Sequence, residues 1–135
     1  MGHYKSNMRD LEFNLFEVFG ADKTLGQGPY SNLDKDSARD ILKEVQRLSE
    51  NDLAASFVDG DRTPPAFDKD TGDVTLPPSF IQSYATYHEG GWDRFPLKEA
   101  LGGIGAPPSL LWAVSEMILG ANPAIYMYSS GPAFA

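Results

Sequence analysis

Between residues 36 and 58, Ala38, Ile41, Leu42, Val45, Leu48, Leu53 and Phe57 recur mostly three or four places apart. That spacing follows the 3.6-residue turn of a helix and not the two-residue alternation of a strand, so a long one-sided helix is expected here. Arg39, Asp40, Lys43, Glu44 and Arg47 fall largely outside the stripe, where opposite charges three or four apart pair in solvent. Asp34 or Asp36 is placed to cap its start. Gly60 and the pair Pro64-Pro65 close the section, since proline denies a helix its hydrogen bonds.

Shorter helical patterns flank this one. Leu11, Leu15, Val18 and Phe19 share one face of an opening helix widened by Phe13 and Phe16, with Gly20 at its end. A polar, glycine-bearing connector covers residues 21–33. After the long helix, Phe67 and the run Val74-Thr75-Leu76 flank the turn-forming Asp70-Thr71-Gly72-Asp73, which reads as a small hairpin. A helix from about Pro78 should carry Phe80, Ile81, Tyr84 and Tyr87 inward until Gly90-Gly91. Residues 92–108 read as loop with a helical turn around 98–101. Leu110, Leu111, Val114, Met117 and Ile118 then mark another helix, ended by Gly120, and Asn122-Pro123 is expected to cap a last one beginning at Ala124. Thirteen glycines and ten prolines fit several short elements joined by turns. The expected fold is an all-α bundle with at most one small hairpin.

At 135 residues, 41% hydrophobic and 22% charged, the chain has a globular balance and room for one core. Its formal charge of −8, from 19 acidic and 11 basic side chains, would repel nucleic acid and anionic lipid alike. No cysteine is present, which excludes disulfides, thiolate nucleophiles and Cys-based metal sites. No apolar run approaches the roughly 20 residues that span a bilayer, and residues 1–9 lack an apolar signal core, so a soluble, cytoplasmic protein is the expectation.

The motifs that carry chemistry are thin. His3 and His88, one terminal and one near a helix end, do not make a metal or catalytic site by themselves. Counted from Asp68 as a calcium loop, glycine falls at the fifth position and Ser79 at the twelfth, where such a loop needs glycine at the sixth and glutamate at the twelfth. Gly102-Gly103-Ile104-Gly105 invites a phosphate, but the last glycine of the dinucleotide fingerprint would be Pro108 and no strand precedes it. From the residues alone, no catalytic group, metal site or cofactor site is expected.

Two stretches add to this. His3-Tyr4-Lys5-Ser6-Asn7, Arg9-Asp10 and Phe13-Asn14-Leu15-Phe16-Glu17-Val18, followed by Gly60-Asp61-Arg62, Pro64-Pro65, Phe67-Asp68 and Thr75-Leu76-Pro77, resemble in order and spacing the amino-terminal region of a long bacterial acyl-CoA dehydrogenase subgroup. Residues 101–107 and Ser115-Glu116-Met117-Ile118-Leu119-Gly120-Ala121-Asn122-Pro123-Ala124 resemble the corresponding loop and two helices of that FAD-dependent family. The resemblance implies the amino-terminal helical bundle of the acyl-CoA dehydrogenase fold, with residues 1–34 as an amino-terminal extension and 35–135 as the helical domain. It implies an enzyme of fatty-acid β-oxidation that converts an acyl-CoA thioester to its trans-2-enoyl form, with FAD as first electron acceptor, an onward electron-transfer acceptor and a homo-oligomeric assembly.

In that family the catalytic glutamate and most flavin contacts lie in a middle β domain and a carboxy-terminal helical domain, both outside this chain. The chain alone is therefore expected to be inactive, to bind no FAD, and to hold no catalytic residue. The resemblance places Ile125, Ser129 and Ala133 at the deep end of the acyl pocket. These recur every four residues and share one side of an uninterrupted helix, although Gly131-Pro132 breaks that continuity. Small side chains at Ser129 and Ala133 would leave room for a longer chain, whereas Tyr126 or Tyr128 would shorten the cavity. The alternative is that these residues only pack helix against helix. A rival reading of the whole is a stand-alone helical module that binds an acyl chain or partner helix without redox chemistry.

Overall fold

The chain opens, in a computed structural model that describes residues 2–131, with α1 (Met8–Glu12), which runs on into one wider π turn, Phe13–Val18. The Phe19 N–H reaches back five residues to Asn14 O, at 2.9 Å. A π turn advances each residue by less than the 100° of an α-helix. Leu11, Leu15 and Phe16 are buried, but Val18, three residues beyond Leu15, turns away and is 56% exposed. Phe19 is 72% exposed at the point where Gly20 (φ 61°) reverses the chain. Both had been expected on the inward face. The connector folds into two 3-10 turns and sinks Ala21, Leu25 and Leu33 into the core.

The long stripe becomes α2 (Lys35–Leu48), capped by Asp34, whose Oδ1 accepts from Ser37 N at 2.8 Å. That bond holds the Asp34 carboxyl below its ordinary pKa. Ala38, Leu42, Val45 and Leu48 are buried, and Lys43–Asp40 and Arg47–Glu44 pair on the outer face at 3.1 and 2.8 Å. The helix does not stop at residue 58. It widens over Ser49–Leu53, tightens over Ala54–Ser56 and continues as α3 (Phe57–Arg62). This change of pitch shifts the phase of the stripe, so Phe57 comes to the surface and stacks on His3 with ring centroids 4.3 Å apart.

The expected hairpin is present as β1 (Ala66–Phe67) and β2 (Val74–Thr75), antiparallel with Ala66 opposite Thr75, and wholly exposed. Next, α4 (Pro78–Glu89) buries Phe80, Ser83 and Tyr87 and half-buries Tyr84. Ile81, expected inward, lies about 100° round from Phe80 and is exposed, while Ser83 takes the inward position. The loop that follows contains the short turn Glu99–Leu101.

Helix α5 (Pro108–Ala121) is the centre of the bundle, with Leu110, Ala113, Val114, Met117, Ile118 and Ala121 all buried. It runs through Gly120 instead of ending there. A Cβ at Gly120 would lie 2.4 Å from the Tyr4 ring, so glycine here serves close approach and not termination. After Asn122 comes α6 (Pro123–Ser129). One core cluster draws on all six helices except α3, and takes in Phe95 from the loop. The fold is an all-α bundle with one small hairpin. Among the described residues no helix is long and apolar enough to cross a membrane.

Candidate functional site

Helix α6 presents two of the three pocket candidates. Ile125 is fully buried, and Ser129, one turn later on the same side, is 5% exposed. Ser129 Oγ is held by the carbonyls of Ile125 at 2.9 Å and Tyr126 at 3.1 Å, a back-bond that keeps its side chain close to the helix. Ala133 lies outside the described residues, as do Pro132 and Phe134.

Ser129 lines a cleft of about 50 Å³ between α4, α5, α6 and the loop at 92–96. Its walls are apolar, from Trp92, Phe95, Val114 and Ile118, and its polar groups come from Tyr87, Asp93, Ser115 and Ser129. The Tyr87 hydroxyl donates to Trp92 O at 3.2 Å, and burial pushes its pKa up to about 12. One Asp93 oxygen lies 2.9 Å from His88 Nδ1. The convergence of Asp93, Ser115 and Tyr87 on Ser129 was missed in the sequence. The available signal was Ser115, a polar side chain in the apolar stripe between Val114 and Met117.

The two tyrosines part company. Half-buried Tyr126 lines the same cleft as Ser129. Tyr128 points elsewhere, packing edge-on to Phe80 and Tyr84 and lining a groove of about 320 Å³ with Phe57, Phe80 and Asn122. A third depression, of about 490 Å³, is walled by Leu15, Phe19, Trp112 and Glu116.

The weaker motifs resolve into structural roles. Asp68 Oδ1 accepts from the N–H groups of Asp70 at 2.8 Å and Thr71 at 3.3 Å, which lowers its pKa and closes a turn. No cluster of three metal-ligating side chains occurs among the described residues. In the glycine loop, the N–H groups of Gly102, Gly103 and Gly105 donate to the carbonyls of Glu99, Lys98 and Leu97 at 2.9, 3.2 and 3.0 Å. A phosphate cradle needs such amides free, so this loop is a closed turn. A surface depression of about 910 Å³ sets Asp10, Glu12, Glu17 and Asp22 against Arg9, Lys35 and Arg39, a poor seat for a diphosphate. The described residues do not by themselves fit FAD.

No protein-family model matches the chain. Over all 135 residues it is 55% identical to the broad-specificity linear acyl-CoA dehydrogenase FadE5 of Mycobacterium tuberculosis. The match covers 100% of this chain and 22% of that relative's length. With every element of the bundle inside the aligned stretch, the chain corresponds to one segment of a long acyl-CoA dehydrogenase.

Proposed function

We propose that this chain is the amino-terminal helical portion of an acyl-CoA dehydrogenase that carries out FAD-dependent α,β-dehydrogenation of acyl-CoA thioesters in cytoplasmic fatty-acid oxidation. The 55% identity over the whole 135-residue chain is the observation that carries this reading. Residues 1–34 act as an extension laid on the helical domain that starts at 35. The bundle walls the acyl pocket, with Ile125, Ser129 and Ala133 toward its deep end, and offers the face around Trp112, 66% exposed, to the rest of the enzyme.

Flavin supplies the hydride acceptor, and it is held by residues beyond this chain, because the amides and clefts here do not suit it. An electron-transfer acceptor reoxidises the flavin, and the enzyme works as a homo-oligomer. This chain's own contribution is to exclude water and orient the acyl tail. The test is to purify the protein as its gene encodes it and to measure bound flavin and acyl-CoA-dependent reduction of a dye. Flavin with turnover supports the reading, and a colourless protein inert toward acyl-CoA of any length defeats it. The segment 1–135 alone should be colourless and inactive.

A further inference from the structure

Two buried oxygens in the α4–α5–α6 cleft have no hydrogen-bond partner among the described groups. Ser115 Oγ belongs to a residue 1% exposed in the middle of α5, and Asp93 Oδ1 to a side chain 10% exposed in the adjoining loop. The other Asp93 oxygen lies 2.9 Å from His88 Nδ1, and Arg94 Nε stands 3.8 Å from Oδ1, beyond hydrogen-bond reach. Leaving such groups unpaired in a protein interior is unfavourable, because they give up hydrogen bonds to water and gain none in return. Two in one cleft identify a place where something donates and accepts.

We propose that this cleft is a binding site for hydroxyl groups. An ionised carboxylate only accepts, so the occupant must donate to Asp93; the Ser115 hydroxyl can give its proton, so the occupant should also accept. A hydroxyl does both. An anion is repelled by Asp93, and a methyl terminus would leave both oxygens unpaired. Ser129 Oγ and the Tyr87 hydroxyl line the same space as further polar neighbours, while Trp92, Phe95 and Ile118 wall it with apolar surface. A volume of about 50 Å³ exceeds the roughly 10–15 Å³ that one water requires, which leaves room for a short chain of hydroxyls and nothing bulky.

Two sources can supply the group: solvent water, or the terminal hydroxyl of a longer apolar molecule. The second, an ω-hydroxylated acyl chain whose end reaches Ser129, rests on the acyl-CoA reading above. The first does not.

The experiment has two arms, both on the protein as its gene encodes it. A ligand-free crystal structure that resolves ordered surface water should show oxygen density within about 3.2 Å of both Ser115 Oγ and Asp93 Oδ1. A dry cleft in such a map overturns the proposal, and this arm needs no variant to fold. In the second arm, kcat/KM is compared for ω-hydroxydecanoyl-CoA and decanoyl-CoA, in wild type and Ser115→Ala. A wild-type preference of about 10-fold for the hydroxylated chain, lost in Ser115→Ala, assigns the site to ligand. Equal ratios in the two proteins, with density present, assign it to water. Absence of turnover with every acyl-CoA counts against the acyl-CoA reading and leaves the first arm standing.

Discussion

The side-chain amide of Asn122 donates to the main-chain carbonyl of Leu53 at 3.2 Å, and to Ser56 Oγ at 3.0 Å. It thereby ties the α5–α6 junction to the widened turn of the long helix. Asn122 occupies the N-cap position of α6, as expected, but its side chain makes no capping bond there. Its side chain turns into the core instead, where the residue is only 2% exposed. Ser83 Oγ makes a parallel tie from α4, donating to Asp52 O at 2.7 Å. Side-chain donors from two other helices thus converge on neighbouring carbonyls of the turn 49–53, the kind of place where a π bulge is stabilised by its surroundings.

Asn122→Ala should therefore lose about 1–2 kcal/mol of stability, because Leu53 O and Ser56 Oγ are left buried with only their long 3.5 Å bond to each other. Chemical denaturation measures it. A change within about 0.5 kcal/mol of wild type, the range of an ordinary surface substitution, would show that the tie is not structural.

Gly120→Ala should displace the amino-terminal strap, since its methyl would sit 2.4 Å from the Tyr4 ring. Amide exchange at residues 4–6 should quicken, with a stability loss of about 1–3 kcal/mol. In a Tyr4→Ala background the same substitution should cost far less. Additive losses in that double-mutant cycle would contradict the contact.

Glu50 clamps the strap from the other side: Oε2 meets Lys5 Nζ at 2.5 Å, and Oε1 accepts from Ser6 N at 3.2 Å and Gln46 Nε2 at 3.0 Å. The Lys5 ammonium first, then Gln46, bring its pKa down to about 2 from an ordinary 4.5. Because folding lowers the pKa, the clamp's stabilisation is complete above the ordinary glutamate value and drains away as pH falls toward 2. Glu50→Gln should be destabilised by about 1 kcal/mol at pH 7 and converge on wild type near pH 2. Thermal melts across that range decide it, and a constant gap at all pH values would be the contrary result.

Ser129→Leu should shift the accepted acyl chains to shorter lengths, because the added methylenes enter a cleft of about 50 Å³. A drop of about 10-fold in kcat/KM for long chains, with short chains spared, is expected from a kinetic series on the full enzyme. A uniform drop at every length would assign Ser129 to helix packing alone.

Much of the bundle was legible in the linear order of residues. The period of Ala38, Leu42, Val45 and Leu48, the Asp34 cap, Pro78 at the start of α4 and the Asp68–Asp73 turn depend on neighbours a few places away. Local chemistry settles such features wherever the chain goes next. The family likeness was legible too, being a property of residue order.

What only the tertiary structure decided is where the helical pitch departs from 3.6. The wide turns at 13–18 and 49–53 moved Val18, Phe19 and Phe57 to the surface, and in the second of them the carbonyls of Asp52 and Leu53 are answered by Ser83 and Asn122, groups distant in sequence. The same holds for Gly120, whose purpose is Tyr4, and for the meeting of Ser115, Asp93 and Ser129. A polar side chain reads as surface or cap until the fold encloses it, since burial belongs to the packed whole and not to any segment.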